Sequence, residues 1–533
     1  MSVAGAGRSS VEVLRMQRLL SASAAAVALT AAVFPATAST SGHKVAACSG
    51  SATVAHYGGG RALRPQPRHL PGACGRPTGY AGAESHIVVR NDGTVVYAPA
   101  VLPSGFLGTG TAPIPASSDS QNNASPGALA VTRDHGAHWS LVKPSGITWN
   151  PTDHSSYVDP VTGRFFFEDY GPVPLAPSVG AQQEGPAHMN WSDDLKHWHH
   201  TVISGLTLPE NPRFTSGRAP AGQPKPEGYA DVLYFCANTN VGFVSPVIAG
   251  RLCFRSLDGG TTWNRGATLF TGAAPQHTEC NGQGEVYSAI DGYYPQAAPD
   301  GSLYVMVACA GSTYLARSTD EAMSFPILRG QTAPVTLPVP SPQLGGIGGS
   351  PELRITRDGT FLLAYQDGNK LMLRLSHTKG ITWSKPVDVT APGVTAVKMW
   401  SLAVSPGGDA AFAYLGQRKG QTTWDGYLTS TRDTERGFRA AHGPLLFSAR
   451  VNPANRPMLY GDNVQGSGYF AGTPVPYPPP FNQQQAGNDF LGVAIAPDGS
   501  VWGSFNQDCG AAYNSPGCVK QHNHTAGFAA SLR

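Results

Sequence analysis

Ser256-Leu257-Asp258-Gly259-Gly260-Thr261-Thr262-Trp263 is the stretch whose reading decides the fold. A carboxylate inside a tight turn can accept hydrogen bonds from that turn's own backbone N–H groups. Gly260 permits positive φ, and Trp263 offers a large apolar face to pack beneath the turn. The octapeptide therefore staples a hairpin and is not itself a catalytic site.

Degenerate copies keep the frame. They are Thr132-Arg133-Asp134-His135-Gly136-Ala137-His138-Trp139, Ser192-Asp193-Asp194-Leu195-Lys196-His197-Trp198 and Ser318-Thr319-Asp320-Glu321-Ala322-Met323-Ser324-Phe325. In Ser376-His377-Thr378-Lys379-Gly380-Ile381-Thr382-Trp383 a threonine stands for the aspartate, and Ser430-Thr431-Arg432-Asp433 reaches Gly437-Phe438 with altered spacing. A further hairpin, ending in Gly527-Phe528-Ala529-Ala530-Ser531, carries no such box.

Before each hairpin lies an apolar run. These begin at His86-Ile87-Val88, Ser156-Tyr157-Val158, Ala230-Asp231-Val232, Tyr294-Pro295-Gln296, Glu352-Leu353-Arg354, Trp400-Ser401-Leu402 and Phe490-Leu491-Gly492. Several lead into an Asp-Gly turn, as in Asn91-Asp92-Gly93-Thr94, Pro299-Asp300-Gly301-Ser302, Arg357-Asp358-Gly359-Thr360 and Pro497-Asp498-Gly499-Ser500. Asp-Gly between apolar alternations is a strong hairpin signal, so the repeat is two hairpins, or one four-stranded unit. The polar interruptions Leu208–Glu227, Thr332–Ser350 and Pro474–Asn488 read as loops over one face.

The octapeptide is the Asp-box, or bacterial neuraminidase repeat, and the chain resembles the sialidase-like β-propeller proteins. The resemblance implies an all-β fold, a single β-propeller of four-stranded blades. Seven strand pairs favour seven blades. Known sialidases have six, and that alternative would make the pair at 156–198 an elaborated loop.

Composition agrees: 64 glycines, 45 prolines and only 13% charged residues in 533 suit many short strands joined by turns. The N-terminus reads as an export signal over residues 1–38. Arg15 and Arg18 precede an apolar run from Leu19 to Val33 and a small-residue site at Ala36-Thr37-Ala38, with Met16 an alternative start to Met1. Residues 39–80 then read as a disulfide-tethered segment and 81–533 as the propeller. A secreted, extracellular protein is expected, with no membrane span.

Removing Arg8, Arg15, Arg18 and Glu12 with the signal takes the formal charge from +3 to +1, which gives no electrostatic case for nucleic acid. Eight cysteines in an export context suggest disulfides. Proximity favours Cys48–Cys74, Cys236–Cys253, Cys280–Cys309 and Cys509–Cys518. No Cys-x-x-Cys pair supports zinc, and no metal or other cofactor is expected. His197 and His199 flank the box residue Trp198, whose inward packing turns them to solvent. A closed propeller leaves no sheet edge that demands a partner, so a monomer is expected.

A retaining sialidase implies three arginines on the substrate carboxylate, a tyrosine nucleophile activated by a glutamate, and an aspartate acid/base. The Arg-Ile-Pro element of that family is absent, and the arginines nearest its place are Arg61, Arg64, Arg68 and Arg76. Residues just before the inner strands should line the channel mouth: Glu84, His86, Asp153, His154, Glu227, Tyr229, Glu279, Glu285, Asp291, Tyr293, Tyr294, Glu352, Arg354, Lys398 and Asp489.

Of these, Glu285 or Glu279 is the expected base beside Tyr293 or Tyr294, and Glu84 or Asp153 the acid. Arg354 would hold an anionic group, with Glu352, His86 and His154 as further binding residues. Two functions follow: an exo-glycosidase for terminal sialic acid or a related acidic sugar, or a non-catalytic propeller that binds a glycan or protein partner.

Overall fold

The computed structural model describes residues 50–56, 71–81, 85–99, 129–144, 154–170, 186–207, 209–241, 247–270, 294–309, 312–325, 335–339, 351–432, 434–439, 443–460, 491–508 and 525–533. Val45–Arg533 form one compact unit. Residues 1–44, where an export signal is expected, lie outside the described residues. Seven antiparallel sheets follow one another around a ring, a seven-bladed β-propeller. Among the described residues the one helix is the short Thr434–Arg439, and none is long and apolar enough to cross a membrane.

From the channel outward, blade 1 is His86–Val89, Val95–Ala98, Leu129–Thr132 and Ser140–Val142. Blade 2 is Ser155–Val158, Phe165–Tyr170, Pro186–Ser192 and His199–Thr207, a full blade rather than an elaborated loop. Blade 3 is Pro209–Gly217, Val232–Val241, Val247–Ser256 and Asn264–Phe270. Blades 4 to 7 begin at Gln296–Ala297, Glu352–Ile355, Val394–Val404 and Gly492–Ile495.

Blade 3 corrects the expected register of strands. Its innermost strand is Pro209–Gly217, inside the stretch read as a loop, and the run at Ala230 leads into the second strand. The inner strand of a blade pairs on one side only, so the proline at position 212 costs no ladder bond there. The register shifts between Glu210 and Arg213, and Arg213, Phe214 and Thr215 are all buried.

The core is divided among the seven gaps between blades. Phe165 and Phe167 of blade 2 pack on Val96, Ala98 and Val131 of blade 1, and Leu362 and Leu373 of blade 5 share a cluster with Phe412 and Tyr414 of blade 6. The box aromatics follow one rule: each packs toward the preceding blade. Trp139 joins the cluster between blades 7 and 1, Trp198 that between 1 and 2, Trp263 that between 2 and 3, Phe325 that between 3 and 4, and Trp383 that between 4 and 5. The turn thus fixes a hairpin and seats an aromatic ring in the neighbouring interface.

Each such turn joins the third and fourth strands of its blade. Asp258 Oδ1 accepts from Thr262 N at 2.9 Å and from Ser256 Oγ at 2.8 Å, and Gly260, at φ 98°, donates to Ser256 Oγ at 2.9 Å. Asp134, Asp194 and Asp320 accept equivalent backbone bonds from His138, His197 and Ser324. In blade 5 the Thr378 hydroxyl takes the carboxylate's place, accepting from Thr382 N at 2.8 Å. In blade 6 the chain turns instead into the helix Thr434–Arg439.

Blade 7 explains its missing box. Gly492–Ile495, Val501–Asp508 and Thr525–Leu532 are completed on the outside by Gly72–Ala81, so no hairpin joins its third and fourth strands. Gly50–Ser51 extends the same sheet, and Thr53–His56 adds a fifth strand to blade 6 beside Leu445–Arg450. The stretch read as a tether therefore supplies strands to two neighbouring blades. Cys236 and Cys253 are bonded across blade 3 as expected, Cys74 is disulfide-bonded, and no described cysteine is free. Cys48, Cys280, Cys509 and Cys518 lie outside the described residues.

Candidate functional site

Inner strands that start at one face bring their first residues together at one end of the channel. Tyr294, which leads into the inner strand of blade 4, receives two guanidiniums. Arg354 Cζ of blade 5 lies 3.8 Å from its ring centre and Arg213 Cζ of blade 3 lies 4.9 Å from it. Both distances fall in the range of cation–π attraction. Arg213 is fully buried and donates through Nη1 to the carbonyl of Pro212 at 2.8 Å, while Arg354 keeps a little exposure.

Glu352 stands two residues before Arg354 and is buried. Its Oε2 accepts from Arg354 Nη2 at 2.9 Å and from the backbone N–H of Leu402, in blade 6, at 3.0 Å. Burial nevertheless pushes its pKa up to about 7, against the pull of Arg354, the Leu402 bond, Arg213 and the Ser401 hydroxyl. Desolvation therefore outweighs pairing, and this carboxyl group can exchange a proton near neutral pH.

On the other side of Arg213 lie two imidazoles. His86 of blade 1 and His154 of blade 2 meet edge-on with ring centres 5.0 Å apart. His154 donates through Nε2 to the carbonyl of Ala98 at 2.8 Å. Burial lowers its pKa to about 4; the Ala98 bond opposes this shift and Arg213 adds to it. Burial first, then Arg213 and His154, likewise hold His86 well below the usual histidine range. Both rings are therefore neutral at physiological pH.

Of the residues expected at this mouth, the structure brings together Tyr294, Glu352, Arg354, His86 and His154. The expected catalytic residues Glu285, Tyr293, Glu84 and Asp153 lie outside the described residues, as do Glu279, Asp291 and Asp489. Lys398 packs over the ring of Trp424 at 4.5 Å, within blade 6.

Glu227 and Tyr229 belong elsewhere. They precede the second strand of blade 3, and Tyr229 bonds to Asp159 and Thr162 in the turn after the inner strand of blade 2, at the opposite end of the channel. The histidines around Trp198 face solvent: His197 bonds to Asp194 and His199 stacks on Trp191 with ring centres 3.8 Å apart. Among the described residues no group of three or more His, Cys, Asp and Glu could hold a metal ion.

Arg213 is the residue sequence reasoning missed. Its signal was the Pro220-Ala221-Gly222-Gln223 turn that follows, which has the frame of Pro299-Asp300-Gly301-Ser302 and closes through Gln223 N to Pro220 O at 3.1 Å.

No family model and no curated protein matches this chain. Among solved structures it is similar to the NanB sialidase of Streptococcus pneumoniae, at 11% identity, over 86% of this chain and 68% of that one, with a TM-score of 0.37. It is similar also to an α-L-arabinofuranosidase of Fusarium graminearum, at 12% identity over 72% of this chain and 97% of that one, TM-score 0.39. A third is the Aleuria aurantia lectin, at 8% identity over 70% and 99%, TM-score 0.38. At such identity and overlap, none of them bears on what this chain does.

Proposed function

We propose that the group around Tyr294 binds an acidic sugar and that the protein is a secreted exo-glycosidase with sialidase-like chemistry. The observation that carries this reading is the convergence of Arg213 and Arg354, from blades 3 and 5, on one phenol ring beside the buried Glu352. A guanidinium fork matches a carboxylate, and a carboxyl group with a pKa near neutrality suits proton transfer to a leaving oxygen.

Binding and protonation are coupled in this arrangement. An incoming carboxylate competes with Glu352 for Arg354, and its negative charge disfavours the ionised form of Glu352. Substrate therefore arrives with uptake of a proton on Glu352, the form needed for general-acid catalysis. Glu285 and Tyr293 before blade 4, with Glu84 and Asp153 before blades 1 and 2, are by chain position the candidates for the remaining acid, base and nucleophile. The export reading rests on the apolar run from Leu19 to Val33 and on the Cys236–Cys253 disulfide.

A second reading, a propeller that binds acidic glycans without cleaving them, is favoured by the bonding of Glu352. Its Oε2 already accepts from a guanidinium and a backbone N–H, whereas glycosidases commonly use two carboxyl groups. The test is release of a fluorophore from α-sialosides and from uronides across pH 4–8, with Glu352→Gln and Arg354→Ala variants. Release by the wild type that both variants abolish supports the enzyme. Binding of the free acids without release leaves the binding propeller, and neither binding nor release overturns both.

A further inference from the structure

The inner strand of blade 2, Ser155–Val158, and the residue that leads into it carry two buried polar atoms that their packing does not explain. Side chains alternate along a strand, so His154, Ser156 and Val158 face the same way, and Val158 packs into the cluster between blades 1 and 2. His154 is fully buried, and among the described residues its Nδ1 has no hydrogen-bond partner; the Ser156 hydroxyl, two residues on, is buried and equally without one among them. Most buried polar groups in native proteins are satisfied, so two orphans on one strand face, next to the residues around Tyr294, point to something that they bind.

The chemistry of that occupant is restricted. His154 spends its single N–H on the Ala98 carbonyl, which fixes Nδ1 as a bare acceptor. The ring is held in place by Phe167, 5.5 Å away between centres, and by His86. Burial and Arg213 keep it neutral well into the acid range, so the lone pair persists. Arg213 also disfavours a cation here, and the lone pair disfavours an anion. What fits is an uncharged group with an O–H or N–H to give.

We propose that His154 and Ser156 form a subsite between blades 1 and 2 that reads a hydroxyl or amide N–H of the sugar whose acid group Arg213 and Arg354 hold. This rests on the acidic-sugar reading above and extends it: one end of the ligand is recognised by charge and the other by a fixed neutral acceptor. Sites built around a buried acceptor reject analogues lacking the matching donor, because the acceptor is then left unpaired.

The experiment is calorimetric titration of wild type, His154→Phe, Ser156→Ala and Arg354→Ala with N-acetylneuraminic acid, glucuronic acid, acetate and methyl galactoside. Ser156→Ala removes only an unpartnered hydroxyl and should keep the wild-type melting temperature, so a loss of binding in it is not a loss of fold.

The expected result is about tenfold weaker binding of a sugar acid in His154→Phe and in Ser156→Ala, with acetate unaffected. Sugar acids bound equally well by wild type and both blade 2 variants would overturn the subsite and leave the arginine reading standing. Binding of methyl galactoside but of no acid, weakened in the same two variants, would keep the subsite and overturn the arginine reading. No binding of any of the four would overturn both.

Discussion

Arg354 donates to Glu352 across 2.9 Å, yet the carboxyl group it pairs with is a weaker acid than a free glutamate. The pKa of Glu352 is raised, so its ionisation costs stability over a definite window. The contribution is favourable at and below the ordinary glutamate value, declines as pH rises, and is lost above about 7. Glu352→Gln should remove that decline. Its melting temperature should gain on wild type between pH 5 and pH 8, with the difference vanishing near pH 4. A constant difference across pH 4–8 would mean that Glu352 is ionised throughout.

Acidic-ligand binding should tighten as pH falls through about 7, since the ligand's charge favours protonated Glu352. Below about pH 4 protonation of His154 and of the ligand itself ends the trend. Titration of N-acetylneuraminic acid with proton release or uptake measured in buffers of different ionisation enthalpy reads this directly. Arg354→Lys should not restore binding lost in Arg354→Ala, because an ammonium cannot fork onto a carboxylate or stack on Tyr294 as a guanidinium does.

The box turns make a stability series. Trp263→Ala removes a ring from the gap between blades 2 and 3 and should cost about 3 kcal/mol, and Asp258→Ala, which removes the turn's acceptor for Thr262 N and Ser256 Oγ, about 1 kcal/mol. Thr378→Asp in blade 5 should go the other way, stabilising by about 0.5–1 kcal/mol, since a carboxylate accepts from Thr382 N more strongly than a hydroxyl. Chemical denaturation of the three variants checks the order.

Gly75 lies on the strand that completes blade 7. A Cβ there would sit 2.0 Å from the carbonyl oxygen of Val451 and 2.7 Å from the Phe528 ring. Gly75→Ala should therefore force the closing strand from its place, costing about 3 kcal/mol or more and lowering the melting temperature. A wild-type melting curve would show that this strand does not hold the ring together.

The repeat was legible because its physics is local. A turn that satisfies its own backbone N–H groups, as around Asp258 and Asp134, needs no distant partner to be recognised. Six of the seven inner strands could be read for the same reason. Pro209–Gly217 could not, because its burial is imposed by the ring: Arg213 is enclosed by Tyr294, His86 and His154, which come from three other blades. The site was half legible for a related reason. Tyr294, Glu352, Arg354, His86 and His154 follow from the rule that inner strands start at one rim, whereas the neutrality of the two histidines and the raised pKa of Glu352 come from burial, which no spacing announces.

The fourth strand of blade 7 has a consequence for how the molecule is made. Gly72–Ala81 is synthesised before the inner strand of any blade, while its partner Thr525–Leu532 emerges after blades 1 to 6, and Thr78 and Gly527, joined by a hydrogen bond, are 449 positions apart. An early strand must therefore wait, with one edge unsatisfied, until the six other blades have been delivered. Contacts of such separation are slow to form. The slowest step in acquiring the native state should be this circularisation, and a nascent chain stalled before position 525 should present six complete blades and an adhesive open end.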